Sequence, residues 1–76
     1  MRVKLVFPEQ LIREPVIARL VRLYDVTPNI RRASVEERVG WMVLDLDGDA
    51  ANIDLALAWL GEIGVEVDLL GDVLES

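Results

Sequence analysis

Apolar and polar positions alternate from Arg2 to Phe7, with Val3, Leu5 and Phe7 on one side and Arg2, Lys4 and Val6 on the other. That period of two predicts a half-buried strand, which Pro8 ends. Leu11 and Ile12 fall in the connection, where they would cover one end of a core. From Glu14-Pro15 the period lengthens to that of a helix, and Pro15 suits a first helical position because it has no N–H to lose. Ile17, Leu20, Val21 and Tyr24 make one stripe, flanked by Val16 and Leu23, with Arg19 and Arg22 outward. Asp25 to Pro28 breaks this helix, since a residue before proline is pushed away from helical geometry.

A second strand is expected from about Asn29 to Val35, followed by a turn at Glu36-Glu37-Arg38. Gly40 opens a third strand, in which Met42, Leu44 and Leu46 alternate with Trp41, Val43 and Asp45. Asp47-Gly48-Asp49 closes it, and Asp49 is placed to cap a second helix. There Ile53, Ala56, Leu57, Leu60 and Ile63 form the buried stripe, with Trp59 at its edge. Gly64 ends the helix. A fourth strand alternates Val65, Val67 and Leu69 with Glu66 and Asp68. Residues 71–76 have no clear period and read as a loose tail to a single domain spanning 1–76.

The order strand–helix–strand–strand–helix–strand folds most economically as an α+β, ferredoxin-like domain. It predicts a four-stranded antiparallel sheet in the order 4-1-3-2, with both helices on one face. The other face would then carry Arg2, Lys4, Val6, Trp41, Val43, Asp45, Glu66 and Asp68. Charge pairs across strands one and four account for part of it. Trp41 and Val43 make the rest adhesive, as expected of a surface that packs on a second copy or on a partner.

Within the second strand the pattern conflicts with itself. Strict alternation sends Ile30 inward and puts Asn29, Arg31 and Ala33 on the opposite face. Ala33 and Val35 nevertheless suit the core better than Arg32 and Ser34. A bulge near Arg31 reconciles the two, and bulges favour edge strands. On physical grounds alone, Asn29 suits a turn and the arginines blunt an exposed edge.

Composition narrows the chemistry. The 76 residues contain no Cys and no His, which removes disulfides, Cys/His metal sites, an iron–sulfur cluster held by the chain's own thiolates, and the commonest general base. With 53% hydrophobic residues the chain can supply a core by itself. Fourteen acidic residues against eight basic ones give a net charge of −6, which argues against a phosphate-backbone partner and hence against nucleic acid. No apolar run is long enough to insert in a membrane, and the chain reads as soluble and cytoplasmic.

Asp45-Leu46-Asp47-Gly48-Asp49 has the wrong glycine position for a calcium loop and lacks an acid at the twelfth place, Ala56. It reads as a strand end, a turn and a helix cap. Nothing encloses the carboxylates Glu36, Glu37, Glu66 and Asp68 as an acid/base pair. The glycines fall singly, so no phosphate-cradling loop exists. The expectation is a domain with no enzyme activity, no metal and no cofactor. Tyr24 and Trp59 read as core, whereas Trp41 is balanced between core and interface.

The stretches FPEQLIREPVIARLVRLYDVTPNIRRASV and GWMVLDLDGDAANIDLALAWLGEIGVEVDLL resemble the NIL domain over essentially the whole chain. The landmarks are Phe7-Pro8, Glu14-Pro15, Asn29-Ile30, Gly40, Gly48, the Ala58-Trp59-Leu60 of helix two, and Gly64-Val65-Glu66-Val67. The resemblance implies a ferredoxin-like fold similar to the ACT regulatory domains. Members sit at the C-terminus of ATP-binding subunits of methionine importers, where they bind methionine at a domain–domain interface and inhibit transport. Others precede small iron–sulfur modules or stand alone, and the PEQ and EERVGWMVLDLDGD stretches look more like the iron–sulfur-linked branch.

Carried onto this chain, the resemblance implies a regulatory, ligand-binding domain for a small amino acid, methionine or a related sulfur amino acid. Asn29, Ile30 and Arg31 would contact the ligand, and Arg32, Ala33, Trp41 and Val43 would form the interface. The chain would pair as a homodimer through the second-strand edge. One departure stands out: the family's apolar third residue, Leu, is Arg31 here, which puts a cation where a thioether would lie. The alternative is an adaptor with no small ligand, docking on an iron–sulfur, transporter or sulfur-metabolism partner through Trp41, Val43 and the edge strand.

Overall fold

Val3, Leu5 and Phe7 do point inward together, and they define the centre of a two-layer domain in the computed structural model, which describes residues 1–71. Four strands, β1 (Arg2–Pro8), β2 (Thr27–Val35), β3 (Val39–Asp47) and β4 (Glu66–Gly71), form one antiparallel sheet. Their order is β2-β3-β1-β4, the expected 4-1-3-2 read from the other edge. A short 3-10 turn (Glu9–Leu11) leads to α1 (Val16–Tyr24), and α2 (Ala50–Ile63) follows β3. The fold is ferredoxin-like. Neither helix is long and apolar enough to cross a membrane.

The core lies between sheet and helices. Val3 and Leu5 of β1, Leu44 and Leu46 of β3, Leu20 of α1 and Ala56 and Leu60 of α2 are wholly shielded from solvent. Each buried leucine contributes about 1.5–3 kcal/mol through removal from water. At nine residues α1 is too short to hold its own helix in water, so it depends on this packing. Tyr24 and Trp59 meet with ring centroids 5.9 Å apart and close the end of the helix pair, as the core reading of both rings requires.

Several local expectations need correction. The α1 stripe is rotated: Val16 and Leu20 are its buried members, whereas Val21 and Leu23 are exposed, because only one sheet lies beneath a helix with an open outer side. Pro15 caps the helix from outside and does not occupy its first turn. At the other end, Asp25 stops α1 by adopting a left-handed conformation (φ 52°), so Val26 is buried and β2 starts at Thr27, two residues earlier than the proline argument suggested. Pro28 lies inside β2, which an edge strand tolerates. Val39 precedes Gly40 in β3.

Asp49 does occupy the N-cap of α2, but its side chain makes no capping hydrogen bond there. Gly64 ends α2 at φ 104°, a conformation costly to any side chain with a Cβ, and its N–H donates to the Gly61 and Leu60 carbonyls. Gly71 is the last residue of β4, and the expectation of a loose tail over 72–76 lies outside the described residues.

Candidate functional site

Because β2 is an outer strand, one row of its backbone N–H and C=O groups faces away from the sheet. The register with β3 pairs Asn29 with Asp45, Ile30 with Leu44, Arg32 with Val43, Ala33 with Met42, Ser34 with Trp41 and Val35 with Gly40. It shifts between Ile30 and Arg32, leaving Arg31 as the extra residue of a β-bulge. This is the bulge that the conflicting alternation demanded. It lets Arg31 and Arg32, consecutive in sequence, reach groups on the same open face, while Ile30, Ala33 and Val35 fall on the helix side.

The helix side does not cover them. Ile30 is 51% exposed, Val35 is 74% exposed, and Ala33 is exposed as well. They were expected in the core, but the helices end short of this border, so three apolar side chains line an open edge.

On the open face, Asp45 is the electrostatic hub. Arg2 donates two hydrogen bonds to it, Nε to Oδ1 at 2.9 Å and an Nη to Oδ2 at 3.2 Å. Arg31 Nε lies 3.8 Å from Oδ2. The Arg2 hydrogen bond holds the Asp45 carboxyl below the usual carboxylate range against an opposing desolvation effect, with further help from the charges of Arg2, Arg31 and the chain's amino group. Asn29 is exposed and sits opposite Asp45, where paired Cα atoms are about 4.5–5.5 Å apart. Asn29, Arg31 and Asp45 thus form one polar cluster.

Trp41 lies further along the same face with a cation near it from each neighbouring strand: Lys4 Nζ at 5.3 Å and the Arg32 guanidinium carbon at 6.0 Å from the ring centroid. Lys4 is opposite Asp68 in register, yet among the described residues its charge is directed to the Trp41 ring. Across β1 and β3, Arg2 pairs with Asp45. Val43, half-buried, separates the two clusters.

A separate apolar cavity of about 100 Å³ opens at the far end of β2. Phe7, Leu11, Ile12, Val16 and Met42 line it, and Val35 sits at its exposed border. Six residues of strand separate Asn29 from Val35, or about 20 Å at the usual rise. The expected contacts Asn29, Ile30 and Arg31 are therefore together and away from this cavity, whereas among the expected interface residues Arg32, Ala33, Trp41 and Val43 it is Trp41 that borders it.

Asp45 is the residue missing from the sequence-based site. Alternation puts it on the open face beside Arg2, but only the β2–β3 register brings it opposite Asn29.

Fold and edge together define an acidic ferredoxin-like domain with a bulged, apolar-bordered outer strand. The sequence profile of the NIL domain matches residues 1–68. This chain belongs to the NIL domain family. The methionine import ATP-binding protein MetN of Helicobacter pylori (strain J99) is 30% identical over 73 residues, which cover 91% of this chain and 22% of that protein. MetN of Helicobacter acinonychis (strain Sheeba) is 29% identical over the same shares. The chain thus spans about a fifth of the length of these relatives. A crystal structure of the C-terminal domain of an ABC transporter ATP-binding protein from Enterococcus faecalis superposes with a TM-score of 0.80 at 25% identity, covering 95% of this chain and 84% of that one.

Proposed function

We propose that the chain is a non-enzymatic regulatory domain that binds a free amino acid, with methionine or a related sulfur amino acid preferred, at an interface between two copies. The observation that carries this reading is the cluster of Asn29, Arg31 and Asp45 at the start of an open edge strand in a NIL domain. The role for which the MetN relatives are named, methionine import, supplies the ligand class. Their ATP-binding activity is not carried over, and a transporter partner and a cytoplasmic location rest on the same likeness.

The polar cluster suits both ends of an amino acid. Arg31 offers a guanidinium to the α-carboxylate, Asp45 offers a carboxylate to the α-ammonium, and the Asn29 amide can donate to one and accept from the other. Among the described residues, the apolar cavity lies on the helix side of the sheet, away from this cluster. Antiparallel pairing of two β2 edges brings the Asn29 end of one strand beside the Val35 end of the other. A register centred on Ala33 sets Ile30 against Val35 of the second copy on the helix side and Arg32 against Ser34. Centring on the bulge would oppose the arginines of the two copies. The ligand's polar head then lies at the start of β2, and its side chain runs along the paired edges on the open face.

Calorimetric titration with methionine, homocysteine and cysteine tests the reading. Methionine is expected to bind with micromolar to sub-millimolar affinity, and Asn29→Ala to weaken it by on the order of tenfold, the effect of losing one good polar contact. No heat from any of the three at millimolar concentration removes the claim.

A further inference from the structure

The sheet face left bare by the helices has an ordered charge layout. One border, β2, carries Arg31 and Arg32, and the other, β4, carries Glu66 and Asp68. The registers align these groups in rows across the sheet. Arg32, Val43, Lys4 and Asp68 make one row, and Ser34, Trp41, Val6 and Glu66 make the next. Asn29, Asp45 and Arg2 begin the third. The middle of the face is apolar, through Val6, Trp41 and Val43, each only half-buried.

We propose that two copies of the chain stack through this face about a twofold axis parallel to the strands. That axis lays β2 of one copy over β4 of the other and β3 over β1, and it keeps each row over itself. The Arg31–Arg32 pair then faces Asp68 of the second copy, Trp41 faces Val6, and Asp45 faces Arg2. Val43 meets the aliphatic stem of Lys4, whose charge stays at its own Trp41 ring.

The alternative in-plane twofold, perpendicular to the strands, sets each strand over its own copy. It opposes Arg32 to Arg32, Lys4 to Lys4 and Asp68 to Asp68, and like charges in register across an interface cost several kcal/mol, on the order of the repulsion that excludes wrong partners. Charge complementarity therefore selects one isologous packing, within the range of about 30° at which sheets stack face to face. The occupant is a second copy because this face complements itself. Both sheet edges remain open in the stack, but it engages Arg31 and Asp45 of the β2 cluster, so stacking and amino-acid binding at that cluster compete.

Sedimentation equilibrium of the full chain at low ionic strength decides the matter. The double variant E66K/D68K is expected to weaken self-association by on the order of tenfold or more, and R31E/R32E to do the same. Combining all four substitutions restores the original charge complementarity with its sign exchanged, and is expected to recover most of the association. Circular dichroism of each variant establishes that it is folded. Wild-type association in E66K/D68K, which pairing through the β2 edge alone would give, overturns the proposal. So does a wild-type chain that stays monomeric at hundreds of micromolar, or a folded fourfold variant that stays dissociated.

Discussion

The two faces of this one sheet obey different rules. Beneath the helices, Val3, Leu5, Leu44 and Leu46 are fully buried and nothing polar intrudes. On the open face charged, aromatic and aliphatic groups stand side by side, and its organisation comes from pairs such as Arg2–Asp45 and Trp41 with its two cations. The first face is specified by hydrophobicity and volume, so substitutions there register as stability. The second is specified by which charges stand opposite which, so substitutions there should register as binding.

The largest expected effect breaks the comparison if it fails. Leu44→Ala should cost about 2–5 kcal/mol in urea unfolding, whereas Val43→Ala, its neighbour on the other face, should cost about 1 kcal/mol or less. Equal losses would mean that the open face is as much a core as the covered one.

Next comes Arg31→Leu, which replaces the cation with an apolar side chain. It is expected to reduce methionine affinity several-fold by calorimetry, on the order of one charge-assisted hydrogen bond, while leaving the urea midpoint nearly unchanged. Tighter binding in the variant would make Arg31 an obstacle in the site.

Asp45 gives a pH-dependent test. Its folded carboxyl titrates below the ordinary value, so its contribution to stability is full above the unfolded-state pKa of about 3.9 and is lost as pH falls through the lower folded value. Asp45→Asn should accordingly be less stable than the parent at neutral pH, and the two unfolding curves should converge in strong acid. A gap that persists there would point to a packing role. The smallest effect is expected from Trp41→Ala, about 1 kcal/mol or less in the isolated chain, since the ring is half-exposed and its cation contacts are solvated.

The covered face was readable from sequence because burial imposes a period. Val3, Leu5, Phe7 and Ile53, Ala56, Leu60 announce their strand and helix, and six elements in order then restrict the sheet to one economical topology. The bulge at Arg31 was also legible, since no single register satisfies both Ile30 and Val35. Exposure at the β2 border was not. Ile30, Ala33 and Val35 have the alternation of core residues, and whether a helix reaches over them is a tertiary matter. Asp45 escaped notice as a site residue for a related reason: a period tells which face a side chain joins, not which residue of the next strand it meets. Only the resemblance distinguished Asn29 from an ordinary turn residue.

The central claim is that the Asn29 end of β2 receives an amino acid, and an amide-resolved NMR titration with L-methionine tests it most directly. The account predicts saturable shifts concentrated on the amides of Thr27, Asn29 to Arg32 and Asp45, with a weaker set along the rest of β2 where a second copy's edge adjoins. Saturable shifts elsewhere with β2 unchanged, or no shifts at millimolar methionine, would contradict it.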